Sequence, residues 1–304
     1  MKNPTAAKKK VLQRAATDGR LSVSEVLSAS RWFSWVNTAA PFLVGAYLGD
    51  HNLSWALLIG LIYFLFPYNL LVYGVNDIYD YESDIQNPRK GGIEGGIMPK
   101  SKHPMLWRVI ILSNAPFLIF LLTKGSMWSR VWFLGVIFAA LSYSVKGLRF
   151  KEVPFLDSFN SSWHFWSPLV YGLLLSGATE FYLPAILAFM FWGMASQALG
   201  AVQDVEYDKS AGIGSIAVKL GAEKTGLFSA SFYIAAAALP ALYYGWAGLV
   251  AAALLSIYVW NVVRCFYAKN SALAYRTAWK AFMKLNLLVG FGMFWLLYAV
   301  YRPF

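Results

Sequence analysis

The chain is poor in charge and in thiols. Only 13% of its 304 residues are charged, where soluble proteins carry about 25%. A soluble multidomain enzyme is excluded. Its one cysteine, Cys265, permits no internal disulfide, no thiolate metal cage and no iron–sulfur cluster, which excludes a stapled secreted scaffold and a redox centre. Acids are scarce as well, with 15 against 26 Lys and Arg, for a net charge of +11. What fills the sequence is apolar: 58% of residues are hydrophobic. A transmembrane helix takes about 20 mostly apolar residues, so the length suffices for about nine spans. In such a chain an excess of Lys and Arg marks cytoplasmic loops and points away from a nucleic-acid partner.

Apolar runs recur at Trp32 to Leu48, Leu53 to Val75, Met105 to Leu122, Trp128 to Val145, Ser161 to Ser176, Phe181 to Val202, Leu227 to Tyr244, Leu249 to Tyr267 and Phe282 to Val300. The fifth is short and is interrupted by His164 and Pro168. Assigning alternate loops to two sides puts 23 of the 26 basic residues on one side and leaves Lys124, Arg130 and Arg302 on the other. That asymmetry predicts an all-α, polytopic membrane bundle of nine transmembrane helices around a central cavity, with the N-terminus cytoplasmic. Residues 1–30 read as a polar cytoplasmic tail, since no signal-peptide core follows Lys8, Lys9 and Lys10. Residues 31–304 form the membrane domain.

Seven of the 15 acids lie in two short stretches, NDIYDYESD from Asn76 to Asp84 and QDVEYD from Gln203 to Asp208. Each begins where an apolar run ends. On a continuing helix, Asp77, Asp80 and Asp84 share one face with Asn76 beside them, Asp204 and Asp208 stand at i and i+4, and Glu82 and Glu206 point elsewhere. Like charges so placed repel one another, more strongly at the edge of a bilayer, and call for a compensating cation. An all-oxygen donor set with few histidines suits a hard ion; Mg²⁺ is commonly held by one or two carboxylates together with substrate phosphates. Two such clusters facing one another would clamp a diphosphate. Basic residues stand close in sequence: Arg89 and Lys90 in the glycine-rich NPRKGGIEGG, and Lys146 and Arg149 in YSVKGLRFK, with glycines that let backbone approach phosphate oxygens. The alternative for these cations is ordinary cytoplasmic-side charge, as a solvated acidic loop is the alternative for either acidic stretch alone.

At these two acidic stretches the sequence resembles the UbiA-type intramembrane prenyltransferases. The stretches SRWFSWVNTAAPF, NDIYDYESDIQNPRKGGIEGG, LRFKEVPFLDS and WGMASQALGAVQDVEYD look like bacterial lycopene elongases, which add five-carbon units to lycopene to give fifty-carbon carotenoids. The resemblance implies a nine-helix fold, Mg²⁺ as cofactor, dimethylallyl diphosphate as donor, lycopene or another long apolar acceptor, and carotenoid cyclase subunits as partners. It assigns the metal to Asp77, Asp80, Asp84, Asp204 and Asp208, with Asn76 in the first motif. Substrate contacts are expected from Arg89, Lys90, Lys146, Arg149, Tyr68, Asn69, Tyr143 and Trp163, the aromatic rings stabilising an allylic cation through their faces. His164, the only histidine inside a predicted span, has two readings: acceptor of the proton released at the end of the reaction, or a neutral hydrogen-bonded helix residue. Two further alternatives stay open: the same chemistry on a quinone precursor, a chlorophyll-like ring or a lipid headgroup, and cation transport through intramembrane carboxylates. Against transport, the acids lie at span ends and not at the midplane.

Overall fold

A computed structural model of the chain describes residues 19–49, 54–85, 97–268 and 271–301; among these there is helix and no strand. The chain divides into two compact units, residues 1–149 with 167–179, and residues 150–166 with 180–304.

The first unit's described residues open on a short helix. Helix α1 (Val23–Ala29) starts at a capping box, in which Ser22 and Glu25 satisfy each other's backbone donors. It packs on the unit's fourth helix, and Ala29 and Ser30 are buried. A 3₁₀ turn (Trp32–Ser34) leads into α2 (Val36–Gly49). Helices α3 (Trp55–Leu65) and α4 (Pro67–Tyr79) form one hydrophobic span broken at Phe66. The break has a local cause. Pro67 has no N–H to continue the ladder, and the freed carbonyls are taken by side chains: Asn69 Nδ2 donates to the Phe64 and Leu65 carbonyls at 2.8 and 3.2 Å, and Thr38 Oγ1 donates to Phe64 O at 2.7 Å. After the short α5 (Tyr81–Asp84) come α6 (His103–Leu122) and α7 (Met127–Ser142). Helix α8 (Leu156–Ser176) runs unbroken through Pro168, and its C-terminal part belongs to this unit. That part crosses α2 at glycines: a Cβ on Gly45 would overlap the Leu169 carbonyl, and one on Gly172 the Phe42 carbonyl. The core around this crossing is aromatic, with Phe133 stacked on Tyr171 at 4.7 Å and Phe42 on Phe64 at 5.1 Å.

The second unit comprises the N-terminal part of α8, then α9 (Leu183–Val202), α10 (Val205–Ala211), α11 (Ile216–Leu220), α12 (Ala222–Tyr243), α13 (Gly245–Val263) and α14 (Ser271–Tyr301). Helix α12 packs on both α9 and α13. Tyr233 stacks on Tyr258 at 5.3 Å, and Tyr233 OH lies 2.9 Å from Ser196 Oγ.

Each of the nine apolar runs falls on helix among the described residues. Among the described residues six helical segments are long and apolar enough to cross a membrane, and outward residues such as Leu112, Ile119, Leu134, Leu249, Trp260, Leu287 and Phe291 are exposed. Surfaces of that kind are solvated by lipid tails, and the chain is a multi-pass membrane protein.

Candidate functional site

The two acidic stretches, one in each unit, have the same local geometry. Helix α4 stops at Tyr79, and Asp80 takes φ −96°, ψ 0° before α5 restarts. Helix α9 stops at Val202, and Asp204 takes φ −101°, ψ −4° before α10 restarts. This sparsely populated bridge region is one that active-site residues often occupy. The backbone N–H of Asp84 donates to Asp80 O at 2.8 Å, and that of Asp208 to Asp204 O at 2.8 Å. The break therefore keeps each aspartate pair one turn apart. Asp84 is buried, while Asp80, Asp204 and Asp208 are half-buried. Gly212, with φ 69°, ends α10, and the Ile213 N–H caps the Asp208 carbonyl at 2.9 Å.

In the first unit the acids meet specific partners. Arg31 grips Asp77 with both guanidinium ends, Nη2 to Oδ1 at 2.5 Å and Nη1 to Oδ2 at 3.1 Å. Burial alone would pull the Arg31 pKa down; the adjacent Asp77 carboxylate more than offsets this and raises it. Arg149, at φ 43° in the turn after α7, reaches Asp80 Oδ1 at 3.5 Å. In the same turn Ser144 Oγ donates to Asn76 Oδ1 at 2.9 Å. Lys146 is exposed, and Tyr143 is half-buried at the C-cap of α7. Glu82, on the other face, pairs with Lys100 near the surface.

In the second unit a buried carboxylate fastens the segment that follows the acidic stretch. Asp157, at the start of α8, accepts from Ile216 N at 2.8 Å and Ser158 N at 2.7 Å, tying α8 to the first turn of α11. Further along α8, Ser161 Oγ donates to Gln197 Oε1 at 2.9 Å. Trp163 packs edge-on against Trp166 at 4.7 Å, and His164 is buried.

Asn69 and Tyr68 both have partners inside the first unit. Asn69 spends its amide donors on the kink carbonyls and on Thr38 Oγ1, 2.8 Å away, and Tyr68 lies fully buried against Tyr63 and Phe64. Arg89 and Lys90 lie outside the described residues. Arg31, Ser144 and Asp157 are additions that sequence reasoning missed. The signal for Arg31 was a cation one residue before an apolar run, which charge counting absorbed as cytoplasmic-side charge. Among the described residues no three of His, Cys, Asp and Glu converge into a ready-made metal cage. A pair of carboxylates one turn apart is nevertheless a donor set that fits Mg²⁺, which keeps several waters and fills its remaining positions with phosphate oxygens.

A family model described as the UbiA prenyltransferase family matches residues 38–299. A lycopene elongase/hydratase of Corynebacterium glutamicum is 40% identical over 280 residues, 91% of this chain and 97% of that protein. A C(50) beta-cyclic carotenoids biosynthesis protein, LbtBC of Dietzia sp. (strain CQ4), is 42% identical over 92% of this chain, which spans only 65% of that relative's length. Among solved structures, a UbiA homologue from Archaeoglobus fulgidus bound to DMAPP and Mg²⁺ shares the fold with a TM-score of 0.67 at 19% identity, covering 87% of this chain and 98% of that one. An apo UbiA homologue from Aeropyrum pernix K1 does so with a TM-score of 0.62 at 17% identity, covering 90% and 98%.

Proposed function

The chain belongs to the UbiA prenyltransferase family, and from that premise we propose that it is a Mg²⁺-dependent lycopene elongase, transferring a five-carbon unit from dimethylallyl diphosphate to the ends of lycopene. The observation that carries the acceptor is the 40% identity with a lycopene elongase/hydratase along 97% of that protein. The observation that supports the chemistry is the repeated aspartate pair, Asp80 with Asp84 and Asp204 with Asp208, each set at a helix break of the same geometry.

In this reading each pair would hold Mg²⁺. When bound, the metal supplies positive charge that stabilises the departing diphosphate as the allylic C–O bond breaks. Arg149 holds Asp80 from one side and, with Lys146, presents cationic charge to diphosphate oxygens, a task Arg89 and Lys90 share. Asn76, oriented by Ser144, fixes the first motif. The terminal double bond of the polyene attacks the allyl carbon, leaving a tertiary cation that loses a proton or captures water. Tyr143 and Trp163 offer ring faces to cationic carbon, and His164 accepts the proton if loss ends the reaction.

All nine helical runs cross the membrane in this reading, with the N-terminus and both aspartate pairs on the cytoplasmic side. The gathering of 23 of 26 basic residues in alternate loops supports that orientation. The apolar acceptor arrives through the bilayer and the small diphosphate from the cytoplasm. Association with a cyclase subunit finds support in the Dietzia relative of cyclic-carotenoid biosynthesis, about a third of which extends beyond this chain. Expression in a lycopene-accumulating bacterium, followed by mass analysis of its pigments, tests the proposal. Forty-five- and fifty-carbon products are expected, and a pigment pool left at forty carbons despite correctly inserted protein would refute it.

A further inference from the structure

The aspartate pairs match across the two units, but the first stretch has one acid more. The residue three before Asp80 is Asp77; the residue three before Asp204 is Ala201. A ligand common to both motifs has no need of a carboxylate there. Asp77 is also spoken for. Its side chain is wholly buried and Arg31 engages both its oxygens, with the guanidinium itself 7% exposed. Arg31 is held in turn: Nη1 donates to Ser28 O at 2.9 Å, the guanidinium lies 5.5 Å from the Tyr73 ring centroid, and Ser34 Oγ donates to Arg31 O at 2.8 Å. Its backbone adopts φ 52°, ψ 55°, a left-handed conformation that a non-glycine residue keeps only when its surroundings impose it.

We infer that Asp77 is the counter-ion of Arg31 and not a metal ligand, and that the buried pair is a positioning latch. It fastens the segment from Ser22 to Ser34 to the acidic end of α4, and so sets the helix break at Asp80 three residues on. A second fastening, Lys102 Nζ to Glu25 Oε1 at 2.6 Å, pins the other end of the same segment. Buried ion pairs act as units. Removing one partner strands a charge, whereas replacing both with neutral groups leaves none stranded.

The inference rests on the prenyl-transfer reading, and the test separates the two. Parent, Asp77→Asn, Arg31→Gln and the double variant are purified in detergent. Turnover is measured against Mg²⁺ and dimethylallyl diphosphate, and thermal unfolding is followed with and without both. The expected result for Asp77→Asn is a kcat lowered about tenfold, a half-saturating Mg²⁺ concentration within about twofold of the parent, and an intact thermal shift on adding Mg²⁺ and dimethylallyl diphosphate. The double variant should recover about fivefold or more in kcat over Arg31→Gln and unfold at a higher temperature than it. A folded Asp77→Asn protein that loses the thermal shift, or needs about tenfold more Mg²⁺, overturns the inference. So does a double variant folded as poorly as Arg31→Gln, because the neutral pair buries no unpaired charge. No turnover and no shift in the parent is instead a failure of the functional reading, and the thermal comparison of the four proteins then decides the latch alone.

Discussion

Asp80→Asn separates catalysis from folding, because the two effects it disturbs differ widely in size. Asparagine keeps the shape of the side chain and removes its charge. The structural loss includes an ion pair, Asp80 with Arg149 at 3.5 Å, whose side chains are 13% and 24% exposed. A partly exposed pair of that kind contributes about 0.2–1 kcal/mol. The backbone at the break is untouched, since the Asp80 N–H to Asn76 O and Asp84 N–H to Asp80 O bonds involve no side chain. The catalytic loss is larger. Removing one group preorganised toward developing charge typically costs about 100- to 1,000-fold in rate, about 2.7–4 kcal/mol. Asp80→Asn should therefore purify in normal yield, unfold within a few degrees of the parent, and lose about two to three orders of magnitude in the rate of diphosphate release. Diphosphate release with lycopene present and pigment masses supply the first measurement; thermal unfolding in the same detergent supplies the second. A variant within about threefold of parental kcat/KM would remove Asp80 from the site. One that fails to fold would show that the Arg149 contact is structural well beyond its exposure.

Gly45→Val drives a branched side chain into the Leu169 carbonyl across the α2–α8 crossing. Backbone cannot rotate away as a side chain can, so the cost should reach or exceed the upper end of the about 1–3 kcal/mol for overpacking, seen as loss of the monodisperse peak in size-exclusion chromatography; wild-type stability would refute the crossing. Asn69→Leu strands the Leu65 carbonyl at the kink and leaves Phe64 O only its Thr38 donor, and should lower stability by about 1–3 kcal/mol. Turnover per folded molecule should hold to within about threefold, a larger fall returning Asn69 to the substrate site. Burial raises the Glu25 pKa, but the Lys102 and Ser22 contacts outweigh it and hold the folded value below the ordinary 4.5. Its contribution is thus complete above the unfolded value and disappears as pH falls through the folded one. Hydrogen exchange in residues 23–30, corrected for its intrinsic pH dependence, should speed up selectively as pH falls below about 4.5; unchanged protection would show that Lys102 does not hold α1.

The pairing of the acids was legible from spacing because helices convert spacing into neighbourhood. Asp80 with Asp84 and Asp204 with Asp208 stay one turn apart even though each helix breaks at its first aspartate. The apolar runs were equally readable, since partition between lipid and water acts on composition. What Tyr68 and Asn69 touch was not readable, because nearness to a span end says nothing of which way a side chain points. Pro67 creates a local demand for hydrogen-bond donors, and Asn69 meets it.

By itself the sequence determined that this chain belongs in a bilayer, that its helices run where the apolar runs lie, and that its few acids gather in two repeated clusters. All three depend on local composition and period. Only the tertiary structure decided which charges belong together. Arg31 and Asp77 are 46 residues apart, Asn76 and Ser144 are 68, and Asp157 and Ile216 are 59. Such pairs form because a buried charge or carbonyl must find a partner in three dimensions, and no periodicity along the chain records where that partner lies.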